Sequence, residues 1–451
     1  MNKIFQMYNF RNSIIMLDSS YIIRLQFRHG SDSILSTIKL KYKTSHVSVD
    51  IDDKNLYAVL NPEDMKGVKD PLGEVKQALV CPIASPRLRE LAKGKKKVVI
   101  LASDITRPSP SHILIPPIVE ELREAGVKYS DIKVVFGLGY HRKHTEDEKR
   151  KLVGQEVYDK IECIDHDIND CVYIGTTKRG TPVEVFRPVA ESDLLIATGN
   201  LEFHYKAGYS GGLKALLPGV CSKRTIEANH VMMIRPGTMP GKADGNPMRE
   251  DIEEAGQIAG VDFMVNAVLN SHKEVVKVVA GDVIKAHREG AKYIDKMYKR
   301  NVQEKVDVVV ASCGGSPKDI NLYQAQKGLE NASYAVKDGG SIILLAECSE
   351  GLGDETFKDW MFRAKTPHDC VEWIKREFKI GAHKAAVVCM VLERAKVYLV
   401  STLDDSLVKD IFFIPSSTVQ QALDTALEEY GQDAKVLVLP YANSTLPFVE
   451  E

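Results

Sequence analysis

Residues 191–219 read ESDLLIATGNLEFHYKAGYSGGLKALLPG. The first ten form an apolar run without polar alternation, bounded by Glu191, Asp193 and Gly199, the pattern of a strand buried on both faces in a parallel sheet. The residues after Asn200 cannot continue that strand. His204, the double glycine at 211–212, Lys214 and the Pro218-Gly219 stop crowd an imidazole, an amine and bare backbone into sixteen positions. Open α/β sheets place their ligands in such loops, beyond the carboxyl ends of their strands.

The same grammar extends in both directions. KKVVILASD (96–104) is a strand ending in Asp104, SHILIPPIVEELREAG (111–126) an amphipathic helix with a glycine stop, and DIKVVFGLGYHRKH (131–144) the next strand and loop. Thr145 and Glu148 stand at capping-box spacing, which fixes a helix start just after His144. Upstream, IKLKYKTSHVSVDI (38–51) alternates like a half-buried hairpin. After the charged helix within 281–305, VDVVVASCGGSPKDINLYQAQKG (306–328) repeats the strand-then-glycine-loop pattern, followed by GGSIILLAECSEG and AKVYLVST. The fold class is therefore α/β: two α/β lobes with mostly parallel sheets and an active-site cleft between them. The expected division is 1–37 as a disordered or loosely docked extension with the fold starting near Lys39, 38–300 as the first domain and 301–451 as the second.

Length agrees with two domains of roughly 150 to 250 residues each. The eight cysteines are scattered without Cys-x-x-Cys spacing, which argues against a disulfide framework or structural zinc and favours the cytoplasm. A formal charge of −2 gives no basic stripe for nucleic acid or anionic membrane. No run approaches the ~18 apolar residues of a membrane span, and the N-terminus lacks the h-region of a signal peptide.

Chemistry-bearing residues gather at the ends of the expected strands: Asp104, Arg107, His141, His204, Lys214, His230, Gln324 and Lys327. Two loop histidines suit proton transfer in both directions. Arg107 and Lys327 suit a substrate carboxylate. YSGGLK lacks P-loop spacing, so a nucleoside triphosphatase is not supported. His230 offers one metal ligand, and a single histidine leaves most of the coordination to some other group.

The motifs SDITRP, GYHR, HYKAGYSGGLKALLPG, ANH and YQAQKG, in that order, make the chain similar to the nickel-pincer lactate racemase family from about residue 38 to the end. That resemblance implies a pyridinium mononucleotide carrying two sulfur-bearing substituents, a thioamide and a thiocarboxylic acid. It is attached covalently at Lys214 and holds nickel through two sulfurs and a ring carbon, with His230 as the protein ligand. It further implies that Ser210, Gly211 and Gly212 let the backbone approach the cofactor, and that His141 and His204 are the two bases. Asp104 would orient His141 or a polar group of the cofactor. Arg107, Gln324 and Lys327 would anchor carboxylate and carbonyl, with Tyr323 shaping the pocket. Where lactate-specific members carry a tryptophan, this chain has His383 beside Lys384, which suits lactate less than a more polar 2-hydroxy acid; the other reading of His383 and Lys384 is a helix cap.

The implied partners are a small 2-hydroxy acid and, during maturation, the enzymes that build the cofactor; the number of associating chains is left open. Two other function classes stand beside the racemase or epimerase. A metal-dependent hydrolase would use His141, His144, His204 and His230, although no H-E-x-x-H is present. A non-catalytic nucleotide-binding paralogue would leave Lys214 without an adduct.

Overall fold

The computed structural model describes the backbone of Asn9–Phe10, Ser13–Asp18 and Tyr21–Phe27, and residues 34–449 with their side chains. The chain folds as two compact units, one of residues 63–297 and one of residues 1–62 together with 298–451.

The 63–297 unit is built on a six-stranded sheet. Its order is Val275–Gly281, Phe263–Leu269, Leu194–Leu201, Val98–Ser103, Ile132–Gly137, Glu162–Asp165. All neighbours pair in parallel except the edge hairpin of Phe263–Leu269 with Val275–Gly281. Every residue of Leu194–Leu201 is buried, as its uninterrupted apolar run requires. Helices such as Ser111–Glu124, through Leu114, Ile115, Ile118 and Leu122, cover the sheet through one continuous core. The chain runs outward from Val98–Ser103 through two strands on one side, then returns to lay Leu194–Leu201 on the other. The sheet order therefore reverses between these two central strands, and the crevice that such a switch opens lies at their carboxyl ends. Asp104 follows one of them and His204 the other.

The second unit carries another six-stranded sheet, in the order Ile414–Pro415, Lys396–Val400, Val336–Leu345, Val306–Ser312, Val436–Leu439, Leu56–Val59, parallel throughout. The division therefore differs from the expected boundary at residue 38. The alternating hairpin of Ile34–Tyr42 and Ser45–Asp52 turns Ile38, Leu40, Val49 and Ile51 into one core with Val308, Val310, Ile343 and Leu345. Leu56–Val59 then pairs with Val436–Leu439. Residues up to 62 thus belong with the C-terminal half because their apolar face is buried there. The start near Lys39 is also too late: the strand begins at Ile34, and Tyr21–Phe27, Ser13–Asp18 and Asn9–Phe10 continue its sheet by antiparallel pairing. The rest of the expected 1–37 extension lies outside the described residues.

Candidate active site

Asp104 ends the Val98–Ser103 strand and is 2% exposed. Thr106 Oγ1 donates to its two oxygens at 2.9 and 3.1 Å, and His141 Nδ1 bonds its Oδ2. Arg107 Nε stands 3.9 Å from Oδ1, with most of the guanidinium open to solvent. Burial alone would raise the Asp104 carboxyl, but the His141 hydrogen bond and charge, with Thr106 and Arg107, hold it below the ordinary carboxylate range. With Nδ1–H donated to a carboxylate, His141 keeps its lone pair on Nε2.

The loop carrying His141 lies against the Pro218-Gly219 turn. Gly139 N–H donates to Gly219 O at 3.0 Å, and a Cβ on Gly137 would sit 3.0 Å from Gly219 Cα. Gly219 itself has no room for one, since a Cβ there would meet Ala215 O at 2.1 Å. The glycines of both motifs thus serve one close approach of two loops.

His144, three residues on, does different work. Its Nδ1 donates to Asp165 Oδ1 at 2.6 Å and its Nε2 accepts from Ile105 N–H at 3.0 Å, with the side chain 1% exposed. Both ring nitrogens are engaged in bracing the Asp104 loop to the edge strand Glu162–Asp165, so His144 is not available as a fourth member of a histidine metal cluster. Among the described residues no group of three or more His, Cys, Asp or Glu could hold a metal ion.

His204 lies in a two-residue strand paired with Gly208–Tyr209. Its Nδ1 accepts from the backbone N–H groups of Ala207 at 3.0 Å and Lys206 at 3.3 Å. In neutral His204 the proton therefore sits on Nε2, the opposite tautomer to His141. The turn is clamped from the helix Pro247–Ile258: Asn246 Nδ2 donates to Lys206 O at 2.8 Å, and Arg249 donates Nε to Ala207 O at 3.0 Å and Nη2 to Tyr209 O. Gly208, at φ 76°, has Lys242 O where a Cβ would be. Burial, then the charges of Lys214, His230, Arg249 and Arg107, push the His204 imidazole well below its ordinary range. Lys214, His230, Arg249 and Arg107 thus all lie within electrostatic reach of His204.

Lys214 sits in the short turn Gly212–Ala215, reached through Gly211 at φ 68° and Gly212 at φ 57°. Its amine has no hydrogen-bond or ion-pair partner among the described residues. Burial first, then Arg249 and Arg107, depress it far below an ordinary lysine, the direction that favours a nucleophilic amine. The loop around it is held from inside the fold. Gly212 N–H donates to Asn266 Oδ1 at 2.6 Å, Ser210 Oγ donates to Asn200 O and accepts from Glu202 N–H at 2.9 Å each, and His287 Nε2 bonds Ser210 O at 3.0 Å. Ser210 and Gly212 thereby fix the position of the lysine before they contact any ligand. His230, the last residue of Lys223–His230, donates Nδ1–H to Ile226 O at 2.8 Å. That leaves the lone pair on Nε2, the form in which a histidine ligates metal.

In the other unit Tyr323, Gln324 and Lys327 share the helix Leu322–Ser333, with Gln324 and Lys327 exposed and Tyr323 set edge-on to Phe357 at 5.8 Å. His383 lies in the first turn of Ala382–Leu392. It is 9% exposed, stacked on Phe378 at 5.7 Å, and burial followed by the Lys384 charge pushes it down to about 4. The cap of Ala382–Leu392 is Gly381, with no side-chain cap hydrogen bond, so neither His383 nor Lys384 caps the helix start. Arg249, Asn266 and His287 were not expected from sequence. Asn246-Pro247 carries an N-cap signal, but nothing local marks the arginine two residues later as fully buried.

Two family models match the chain: Lactate racemase N-terminal domain over residues 42–240 and Lactate racemase C-terminal domain over 302–446. A lactate racemase of Thermoanaerobacterium thermosaccharolyticum is 33% identical over 419 residues, covering 90% of this chain and 98% of the relative. A lactate racemase of Lactiplantibacillus plantarum is 32% identical over 416 residues, covering 89% and 97%. The solved lactate racemase apoprotein from T. thermosaccharolyticum superposes with a TM-score of 0.81 at 32% identity, over 91% of this chain and all of that one. A Thermotoga maritima protein shares the fold at a TM-score of 0.58 and 18% identity, over 86% of this chain.

Proposed function

We propose that this chain, which belongs to the lactate racemase family, interconverts the stereoisomers of a 2-hydroxy acid at C2 with the help of a lysine-tethered nickel-pincer nucleotide. The family makes it an isomerase of the racemase type. The observation that supports the finer reading is that Lys214, whose amine has no hydrogen-bond or ion-pair partner among the described residues, and His230, which donates Nδ1–H to Ile226 O, both lie within electrostatic reach of His204. One histidine holds a metal only if most of the coordination comes from the bound group itself, which is what the pincer nucleotide provides. When bound, that group supplies an electrophilic ring able to accept the C2 hydrogen with its electron pair.

The chain's own residues supply the proton chemistry. His141 Nε2 takes the alcohol proton, and the Asp104 carboxylate steadies the imidazolium that forms. Neutral His204 offers its Nε2–H to the substrate oxygen as a hydrogen bond only, since losing that proton would leave an imidazolate; it delivers a proton to the oxygen from its imidazolium form. For the opposite enantiomer the roles exchange, and His204 must then release the Lys206 and Ala207 amides to move its proton to Nδ1. Arg107, beside Asp104 and largely open, anchors the carboxylate next to the reacting carbon. Gln324 and Lys327 contribute to substrate binding, with Tyr323. The enzymes that build the cofactor are partners during maturation. A cytoplasmic residence is supported by eight cysteines that are all free thiols.

The test is the intact mass and nickel content of the chain produced together with the cofactor-making enzymes, wild type beside Lys214→Ala. An added nucleotide mass and about one nickel per chain, both absent from a folded Lys214→Ala, are expected. An unmodified, nickel-free wild type beside an active family member made in the same cells would refute the reading and favour a non-catalytic nucleotide-binding role.

A further inference from the structure

The helix Pro247–Ile258 meets three arms of the candidate site through three different residues. Arg249 holds the turn that follows His204. Gly256 makes room for Leu213, the neighbour of Lys214, since a Cβ there would lie 2.5 Å from Leu213 Cδ2. Asp251 reaches the third arm, the helix Lys223–His230 that ends in the candidate metal ligand.

Asp251 is fully buried, and no cation pairs with it among the described residues. Three neutral donors answer its carboxylate instead. Thr177 Oγ1 donates to Oδ1 at 2.5 Å, and Thr181 Oγ1 and Asn229 Nδ2 each donate to Oδ2 at 2.8 Å. The two threonines are tied to each other, with Thr181 N–H on Thr177 Oγ1 at 3.1 Å, so the carboxylate rests on a closed turn and lends its remaining bond to Asn229. That asparagine is buried immediately before His230. Its Nδ2 also donates to Met248 O at 3.2 Å, while its Oδ1 is buried without a partner. An acceptor left empty in the interior costs free energy, yet turning the amide over would set Oδ1 against the carboxylate. Asp251 therefore fixes which way Asn229 faces. The start of the same helix is held separately, by Ser222, which accepts from Thr225 N–H at 3.2 Å and donates to Glu184 Oε2 at 2.5 Å. His230 donates Nδ1–H to Ile226 O within its own helix, so the aim of its ring follows the helix, and the orientation of a ligating histidine is set by such outer partners.

Resting on the racemase reading above, we propose that Asp251 is a positioning residue for the nickel ligand: through Asn229 it fixes the last turn of Lys223–His230 and with it the place of His230. The tether has its own supports, Asn266 on Gly212 N–H and Leu213 against Gly256. Loss of Asp251 should therefore separate metal retention from cofactor attachment.

The experiment compares wild type, Asp251→Asn and Asn229→Ala, each produced with the cofactor-making enzymes, by intact mass, nickel content and the rate at which nickel passes to excess EDTA. Both variants are expected to keep the added nucleotide mass and to weaken nickel binding by about 10- to 100-fold, the usual cost of removing an outer partner of a metal ligand. The double variant should lose no more than the more affected single one, because the carboxylate acts through the amide. Unchanged nickel loss in a folded Asp251→Asn, or additive losses in the double variant, overturns the proposal and leaves the racemase reading standing. Loss of the nucleotide mass together with nickel does the same, since it marks a general disturbance of the helix. A wild type with neither nucleotide nor nickel, beside an active family member made in the same cells, overturns both. Hydrogen exchange of the unloaded full chain needs no cofactor: Asp251→Asn should speed exchange in the last turn of Lys223–His230 and leave Gly212–Ala215 unchanged, and an equal change in both segments counts against the positioning.

Discussion

Replacing His144 by leucine separates a bracing histidine from a catalytic one. Leucine fills similar space beside Phe136, whose ring centroid lies 5.1 Å from that of His144, so the loss is polar rather than volumetric. The Nδ1–H bond to Asp165 disappears, worth about 1.5–3 kcal/mol for a charged acceptor, and Ile105 N–H is orphaned at about 1–3 kcal/mol. Asp165 is not abandoned entirely: it keeps the His144 backbone N–H at 3.0 Å and Lys149 Nζ at 3.8 Å. The sum is therefore about 3–5 kcal/mol, or roughly a 10 °C fall in Tm for a domain of this size. Urea unfolding at pH 7 should show it, and a cycle with Asp165→Asn should return a coupling of about 1.5–3 kcal/mol. Hydrogen exchange should show lost protection at the Ile105 amide. A penalty below about 1 kcal/mol with unchanged exchange would refute the brace, and full stability with abolished turnover would move His144 into the catalytic group.

Two further outcomes rest on other partners in the same unit. Asp104→Asn removes the charge behind His141 and should lower turnover by about 10²- to 10⁴-fold with nickel content retained; loss of nickel would assign Asp104 to the cofactor instead. Glu121 accepts from Arg87 and Arg89 through contacts of 2.6 to 3.0 Å; burial alone would raise its carboxyl, but the two guanidinium groups hold it at about 2 against an ordinary 4.5. A depressed folded-state value means stabilisation present above 4.5 and lost as pH falls towards 2, so Glu121→Gln should cost about 1–3 kcal/mol at pH 7. That gap should close on acidification across this window in urea titrations, and a gap independent of pH would show that packing, not charge, is at work.

Much of the fold was legible because burial on both faces leaves a plain mark. Leu194–Leu201 and Val98–Ser103 read as continuous apolar runs, and the capping box at Thr145 and Glu148 formed as spaced, with Glu148 N–H on Thr145 Oγ1 at 3.2 Å. The first domain boundary was not legible, since the alternation of 38–51 declares that one face is buried but not against what. The site divides in the same way. Asp104, His141, His204 and Lys214 could be singled out because strand ends or glycines mark the loops that carry them, whereas His230 ends a helix. Their proton inventories were not found, since each is set by a partner distant in sequence or by the local turn. His141 and His204 are the same residue type beyond the two strands that flank Val98–Ser103, and sequence reads them as an interchangeable pair. A carboxylate fixes the proton of one on Nδ1, while two backbone amides exclude it from Nδ1 of the other. Under the proposed mechanism the resting site would hold one base and one hydrogen-bond donor rather than two equal bases, and the Lys206–Ala207 turn, clamped by Asn246 and Arg249, would be the element that yields when those roles are exchanged.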